Sequence, residues 1–267
     1  MDRPFRVYGH LVAAQVRSQL QYRTSFTLDL IGQTLFTVLD YVTVIVLFSV
    51  TPTLAGFTLP QVLLITSIAA VGFGLADLAV GNVERLKAYI RTGTLDAMLI
   101  RPRRVLPQLL AIDFQPRRLG RLAFALGGLV VASVACELDW TVWTVVKLVA
   151  APIVAGVYFS ALFVAAASVA FWWIDSGEFA NSLTYGGREF TTYPINLYGG
   201  LFRHVFAFAL GFGFVSYYPA LSITGIPDPL GMPTWIAALS PIVAALAAAL
   251  AAVCWHLGIR HYNGTGS

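Results

Sequence analysis

Charge is in short supply in this sequence. Only 11% of its 267 residues are Asp, Glu, Lys or Arg, against about 25% in ordinary soluble domains. So few ionic groups cannot clothe a globule in water, and a soluble domain is excluded. Cysteine is rarer still. Cys136 and Cys254 stand far apart, without metal-ligand spacing, and near opposite faces of the membrane in the span assignment below, so neither a thiolate metal site nor a disulfide between them is expected. His10, His204 and His256 show no ligand spacing either, and surface or interfacial roles suit them. The phosphate-binding loop G-x-x-x-x-G-K-[ST] is missing. "GFGLADLAVGN" has the wrong spacing and lies inside an apolar run, so this chain is not expected to hydrolyse ATP. The polar–apolar alternation of barrel strands is missing as well, which excludes a β-barrel.

What is present is hydrocarbon. Hydrophobic residues make up 58% of the chain, and the mean hydropathy is +0.75. Runs of 18 or more apolar residues recur, each long enough to cross roughly 30 Å of lipid. The class is an all-α polytopic membrane protein. Six spans are expected, at 25–50, 60–82, 119–136, 143–174, 202–220 and 234–258. The fourth exceeds what a bilayer needs and is expected to tilt or protrude. The first apolar run begins near Phe26 and is too long for a signal-peptide core.

Residues 3–20, "RPFRVYGHLVAAQVRSQL", place Phe5, Tyr8, Val12, Val16 and Leu20 on one helical face and Arg3, Arg6, His10 and Arg17 on the other. That pattern suits an amphipathic helix lying in the headgroup plane. The seventeen Lys and Arg residues orient the spans. Four precede the first span, nine lie between the second and third, Arg188 and Arg203 lie between the fourth and fifth, and Arg260 follows the sixth. Only Lys147 falls on the other side. Both termini and the even-numbered loops are therefore expected in the cytoplasm. The net charge of +4 reflects this topology, and no nucleic-acid partner is implied.

The largest cytoplasmic feature is the loop 84–118. "ERLKAYIRTG" reads as a helix with Gly93 as its stop, and "TLDAMLIRP" as a second short helix that must end before Pro102. Leu95, Met98 and Leu99 then share an apolar face ringed by arginines. Attraction to anionic headgroups explains the arginines, at about 1 kcal/mol per charge. It does not explain the apolar face, which a protein partner would.

These stretches resemble a family. "GNVERLKAYIRTGTLDAMLIRPRRVLPQLLAIDF", "LTYGGREFTTYPINLY", "YYPALSITGIPDPLG" and the tail "RHYNGTGS", in that order, are similar to the membrane subunits of bacterial ABC-2 type ABC transporters, the short permeases of roughly 260 residues. The tail departs slightly at Asn263 and Gly264, where a bulkier polar pair is expected. The resemblance implies a permease of the bacterial inner membrane with a coupling helix that docks on a separate ABC ATPase, present in two copies and carrying the ATP and magnesium. It implies a second permease subunit, the same or similar, and export of a hydrophobic or amphipathic substrate along a path lined by spans one, two and five. It assigns the ATPase contacts to residues 84–101, with Arg91, Thr94, Leu95, Asp96, Met98 and Leu99 as direct contacts. No catalytic residue, cofactor or metal belongs to this chain on that reading.

Carboxylates inside spans are costly, about 2.5–3.5 kcal/mol at the membrane centre. They usually face a cavity or a partner. Asp29 and Asp40 share a stripe with Gln33 and Phe36, which either lines the substrate path or contacts a neighbouring helix. Asp77 lies near the inner end of span two, within reach of an arginine of the loop. Gly186–Gly187 reads as a turn that sets Arg188 and Glu189 at the cytoplasmic surface. Gly127 and Gly128 are expected to permit close helix packing. Two other readings remain open: a membrane-embedded lipid-modifying enzyme, and an ATPase-anchoring or channel-like protein. The acids are too scattered to favour the enzyme.

Overall fold

The computed structural model describes residues 23–112 and 115–264. The expected interfacial helix 3–20 lies outside them. Regular structure among the described residues is helical, apart from one isolated bridge between Leu54 and Phe57. Helix α1 is Arg23–Val50 and α2 is Leu59–Val80. After a 3₁₀ turn at Gly81–Arg85 come three short helices, α3 (Leu86–Arg91), α4 (Thr94–Leu99) and α5 (Val105–Ile112). The long rods resume with α6 (Leu119–Ala135) and α7 (Val142–Ser168). Then follow α8 (Gly177–Thr192), the short α9 (Gly200–Arg203), α10 (Tyr217–Thr224) and α11 (Ser240–His261).

Local chemistry sets the starts. Pro60 stands in the first turn of α2, where its missing N–H costs nothing, and the Gln61 side chain accepts from the Thr58 N–H at 2.9 Å. Thr141 Oγ1 accepts from the Thr144 N–H at 3.1 Å and caps α7. Gly93, with φ +67°, makes the turn between α3 and α4, as the sequence predicts.

Helix α2 is the hub and packs on α1, α6, α7 and α8. Small residues allow the approach: a Cβ on Gly72 would stand 2.4 Å from the Ala155 Cβ of α7. In lipid, where apolar surface alone gives helices no reason to associate, such backbone proximity is a main source of packing energy. Gly128 does the same for the Tyr41 ring, whose hydroxyl meets Ser67 Oγ at 2.9 Å. Gly127 faces open space, so only one of that expected pair serves packing.

Five described helices are long and apolar enough to cross a membrane, or six if one bent pair counts as a span. Tryptophans mark two levels. Trp140, Trp143 and Trp235 are exposed at one end and Trp172 and Trp173 at the other. Along α7 and its 3₁₀ extension, Trp143 and Trp172 are about 43 Å apart at helical rise, close to the thickness of a bilayer with its headgroups.

The region 177–224 departs from expectation. Gly186 and Gly187 make no turn; both lie inside α8. Its first residue, Gly177, lies beside the Lys87 side chain, at the end of the bundle that carries the short helices, called the loop end below. At its other end, Thr66 Oγ1 donates to the Thr192 carbonyl at 3.0 Å, and Asn196 Nδ2 donates to the Ala55 carbonyl at 2.8 Å. Ala55 belongs to the α1–α2 turn at the far end, so α8 runs antiparallel to α2 along most of its length. The sequence hid this helix because it is too polar to read as a span. Its buried face holds Thr184, Arg188, Thr191 and Thr192.

The expected span 202–220 is not one rod. Helix α9 runs on as a π-helix, His204–Ala209, and the chain then bends by 63° before Phe212–Thr224. Gly211, with φ +86°, occupies the corner. Phe212 sits against Gly187, Ser216 Oγ donates to the Thr191 carbonyl at 2.6 Å, and Lys147 Nζ donates to the Ser222 carbonyl at 3.0 Å. Both arms therefore open toward the far end, with their corner at the depth of Gly187.

Candidate coupling loop and buried charge network

The loop end is built from α3, α4 and α5, which pack on one another and on the 3₁₀ turn Gly81–Arg85. Asn82 Nδ2 donates to the Leu110 carbonyl at 3.1 Å, and Gln108 Nε2 donates to the Arg103 carbonyl at 3.1 Å. The expected apolar face exists, but it points inward. Leu95 is 0% exposed and Met98 1%, and with Leu86, Ile90 and Leu109 they belong to the core. Two of the six expected ATPase contacts therefore offer no surface. Thr94 and Asp96 are half-buried, while Arg91 and Leu99 are exposed. The outward rim is Thr92, Ala97, Leu99, Ile100 and Arg101, with Ile100 85% exposed. The sequence pattern found the apolar residues of the helix. It could not tell which partner covers them, and here the protein itself does.

The tail reaches the same place. The Tyr262 ring packs edge-on against Phe171, and a Cβ on Gly264 would stand 3.8 Å from Asp96 Oδ1. Two separate stretches that the sequence comparison singled out thus meet in space. The rim of this end also carries Asp175, which takes Arg91 Nη2 at 2.5 Å and Lys87 Nζ at 3.2 Å. The Lys87 ammonium, then the Arg91 guanidinium, hold its carboxyl below the usual carboxylate range.

Each acid expected inside a span has a partner. Asp77, buried in α2, faces Arg118 Nη1 at 3.1 Å and Arg121 Nη1 at 3.3 Å. Arg118 Nη1 also donates to the Asp77 carbonyl at 2.5 Å. The pairing of Asp77 with Arg118, at the end of the loop, agrees with the sequence reading. Arg121 donates to Gln33 of α1. Asp29 takes Arg117 Nη1 at 2.6 Å. Asp40 pairs with Arg188 of α8, whose other arm meets Glu189 at 3.1 Å. Arg188 is thus buried among helices, not set at the surface as the sequence suggested. Its guanidinium carbon lies 5.2 Å from the Phe73 ring centroid, and that of Arg121 lies 5.9 Å from it. Phe73 therefore stands between two cations whose acids come from α1 and α2, a cation–π arrangement favoured by desolvation. Phe36 is exposed on the outer face of α1 and joins none of this.

The two arginines counted between spans four and five stand in different surroundings. Arg188 is inside the bundle, and Arg203 stands in the first arm of the hairpin, which starts at the far end. The remaining bias still rests on the nine basic residues around the short helices.

The sequence profile of ABC-2 family transporter proteins matches residues 34–266. The chain belongs to that family. No curated protein and no solved structure matches it. Members are membrane transport subunits, generally without catalysis of their own and generally working with an ATPase. In this ABC-2 family protein Asp29, Asp40 and Asp77, with Gln33, all meet arginines of neighbouring elements.

Proposed function

We propose that this chain is the membrane-spanning half of an ATP-driven exporter that moves a hydrophobic or amphipathic substrate outward. It works as a pair of permease subunits, identical or similar, with two ABC ATPase subunits that carry the ATP and magnesium. The loop end faces the bacterial cytoplasm, where the positive charge gathers. The six crossings are α1, α2, α6, α7, α8 and α11, both termini are cytoplasmic, and the α9–α10 hairpin dips in from outside. Three features support this topology: the level of the two tryptophan belts, the length of α8 alongside α2, and the opening of the hairpin toward Ala55.

The observation that carries the reading is the compact three-helix cap at 86–112, packed on the 3₁₀ turn Gly81–Arg85 that continues α2, next to the Asp77, Arg118 and Arg121 cluster that ties α2 to the start of α6. A rigid cap transmits a push into α2 and α6, which a floppy basic loop would not. The ATPase contacts belong to its outward rim: Ile100 and Arg101, together with Arg91 and Leu99 from the earlier set. Leu95 and Met98 hold the cap together from within.

The test is affinity capture in detergent, with the chain co-expressed in turn with each ABC ATPase of its own cell. Wild type should retain one of them, and Ile100→Glu combined with Arg101→Glu should lose it while melting at the wild-type temperature. Equal capture by both forms would remove the rim from the interface. Failure of wild type to hold any of the ATPases would return the lipid-facing and enzymatic readings to the front.

A further inference from the structure

A groove of about 1170 Å³ runs down the outside of the bundle between α2, α7, α11 and the start of α5. That exceeds the roughly 300–1,000 Å³ of most small-molecule sites. Its chemistry is divided along its length. Toward mid-bundle the walls are Leu75, Ile153, Val157 and Ala252. Ile153 and Val157 are exposed, so the groove opens sideways onto the surface that hydrocarbon must cover. At the loop end the mouth carries Arg103 and Arg104, with His256 beside them. Both arginines are exposed, and neither has an acidic partner among the described residues. Their backbone is pinned by Gln108, which donates to the carbonyl of each.

We infer that this groove binds an anionic phospholipid of the leaflet at the loop end. The arginines take its phosphate headgroup and the α7–α11 walls take its acyl chains. The charge pattern selects this occupant: basic pockets at the inner ends of membrane helices suit anionic headgroups, and only a lipid supplies an anion and a long apolar tail in one molecule. Leu99, at the end of α4, also lines the groove, so the bound lipid touches the cap itself.

Trp255 lines the groove and reports on it. The full chain is reconstituted in phosphatidylcholine vesicles doped with acyl-brominated phosphatidylglycerol or, in parallel, with acyl-brominated phosphatidylcholine. The Trp255 signal is taken as the difference between wild type and Trp255→Phe. Brominated phosphatidylglycerol should quench it at much lower mole fraction. Arg103→Gln and Arg104→Gln should each reduce that preference roughly fivefold, the factor equivalent to one surface charge on an anionic headgroup. Ala252→Phe, which fills the tail region and leaves the arginines in place, should abolish quenching by both lipids. Equal quenching of wild type by the two lipids would overturn the inference, leaving ordinary annular lipid. So would an unchanged preference in both arginine variants. Absence of quenching by either lipid would mean that another chain covers the groove, and would overturn it too. None of these readouts requires the ATPase.

Discussion

Asp77 and Asp175 are each gripped by two cations, yet they do different work. Asp77 holds Arg118 and Arg121 with its side chain 3% exposed, and Asp175 holds Lys87 and Arg91 with its side chain 68% exposed. A buried pair is not strong merely because it is close, since removing charges from water offsets most of the attraction. What burial adds is the penalty for breaking it. An arginine left alone among helices has neither water nor a counter-ion, whereas one left alone at the rim regains water at once. The Asp77 cluster therefore fixes geometry, and the Asp175 cluster is a contact that can open at little cost.

The comparison breaks most sharply at Asp77. Asp77→Asn removes the carboxylate that pairs with both buried arginines. It should cost about 3–5 kcal/mol, read as a large fall in the denaturant or thermal midpoint in detergent. A change near zero would mean that water reaches the cluster. Asp40→Asn should cost less, about 1–3 kcal/mol, because Arg188 keeps Glu189 at 3.1 Å; the same unfolding assay ranks the two. Asp29→Asn should fall within about 1 kcal/mol of wild type, since the Asp29 side chain is half exposed.

Asp175→Asn should lower the midpoint only slightly at neutral pH, since its partners sit in water. That small difference should vanish on acidification. The folded carboxyl titrates below its unfolded value, so the stability it contributes is present above about pH 4. That contribution is lost as pH falls through the lowered folded value. A pH series of melting curves should show wild type converging on Asp175→Asn at low pH. Parallel curves at every pH would separate Asp175 from Lys87 and Arg91.

Much of the bundle was legible because long apolar runs have few alternatives in a chain so poor in charge. The rods α1, α2, α6, α7 and α11 fall where hydropathy places them. Helix α8 was not legible. Its polarity is satisfied by partners far away in sequence, Asp40 for Arg188 and Thr66 for the Thr192 carbonyl, and no local pattern reveals them. Residues 202–220 are apolar enough to span, and hydropathy carries no sign of the 63° bend that the left-handed corner at Gly211 introduces. At the cap, periodicity found Leu95, Met98 and Leu99 on one side of a helix. It carries no information on whether that side meets a partner or the protein's own core.

The docking of the cap on an ATPase is tested most directly by site-specific cross-linking. Cys136 and Cys254 are replaced by Ala, and a single cysteine is introduced as Ile100→Cys or as Leu95→Cys. Each chain is co-expressed with the ATPase it captures and treated with a short thiol-to-amine cross-linker. Ile100→Cys should yield a covalent adduct with the ATPase, and Leu95→Cys, buried beneath the rim, should yield none. An adduct from Leu95→Cys with none from Ile100→Cys would contradict the assignment and turn the apolar face of the cap outward.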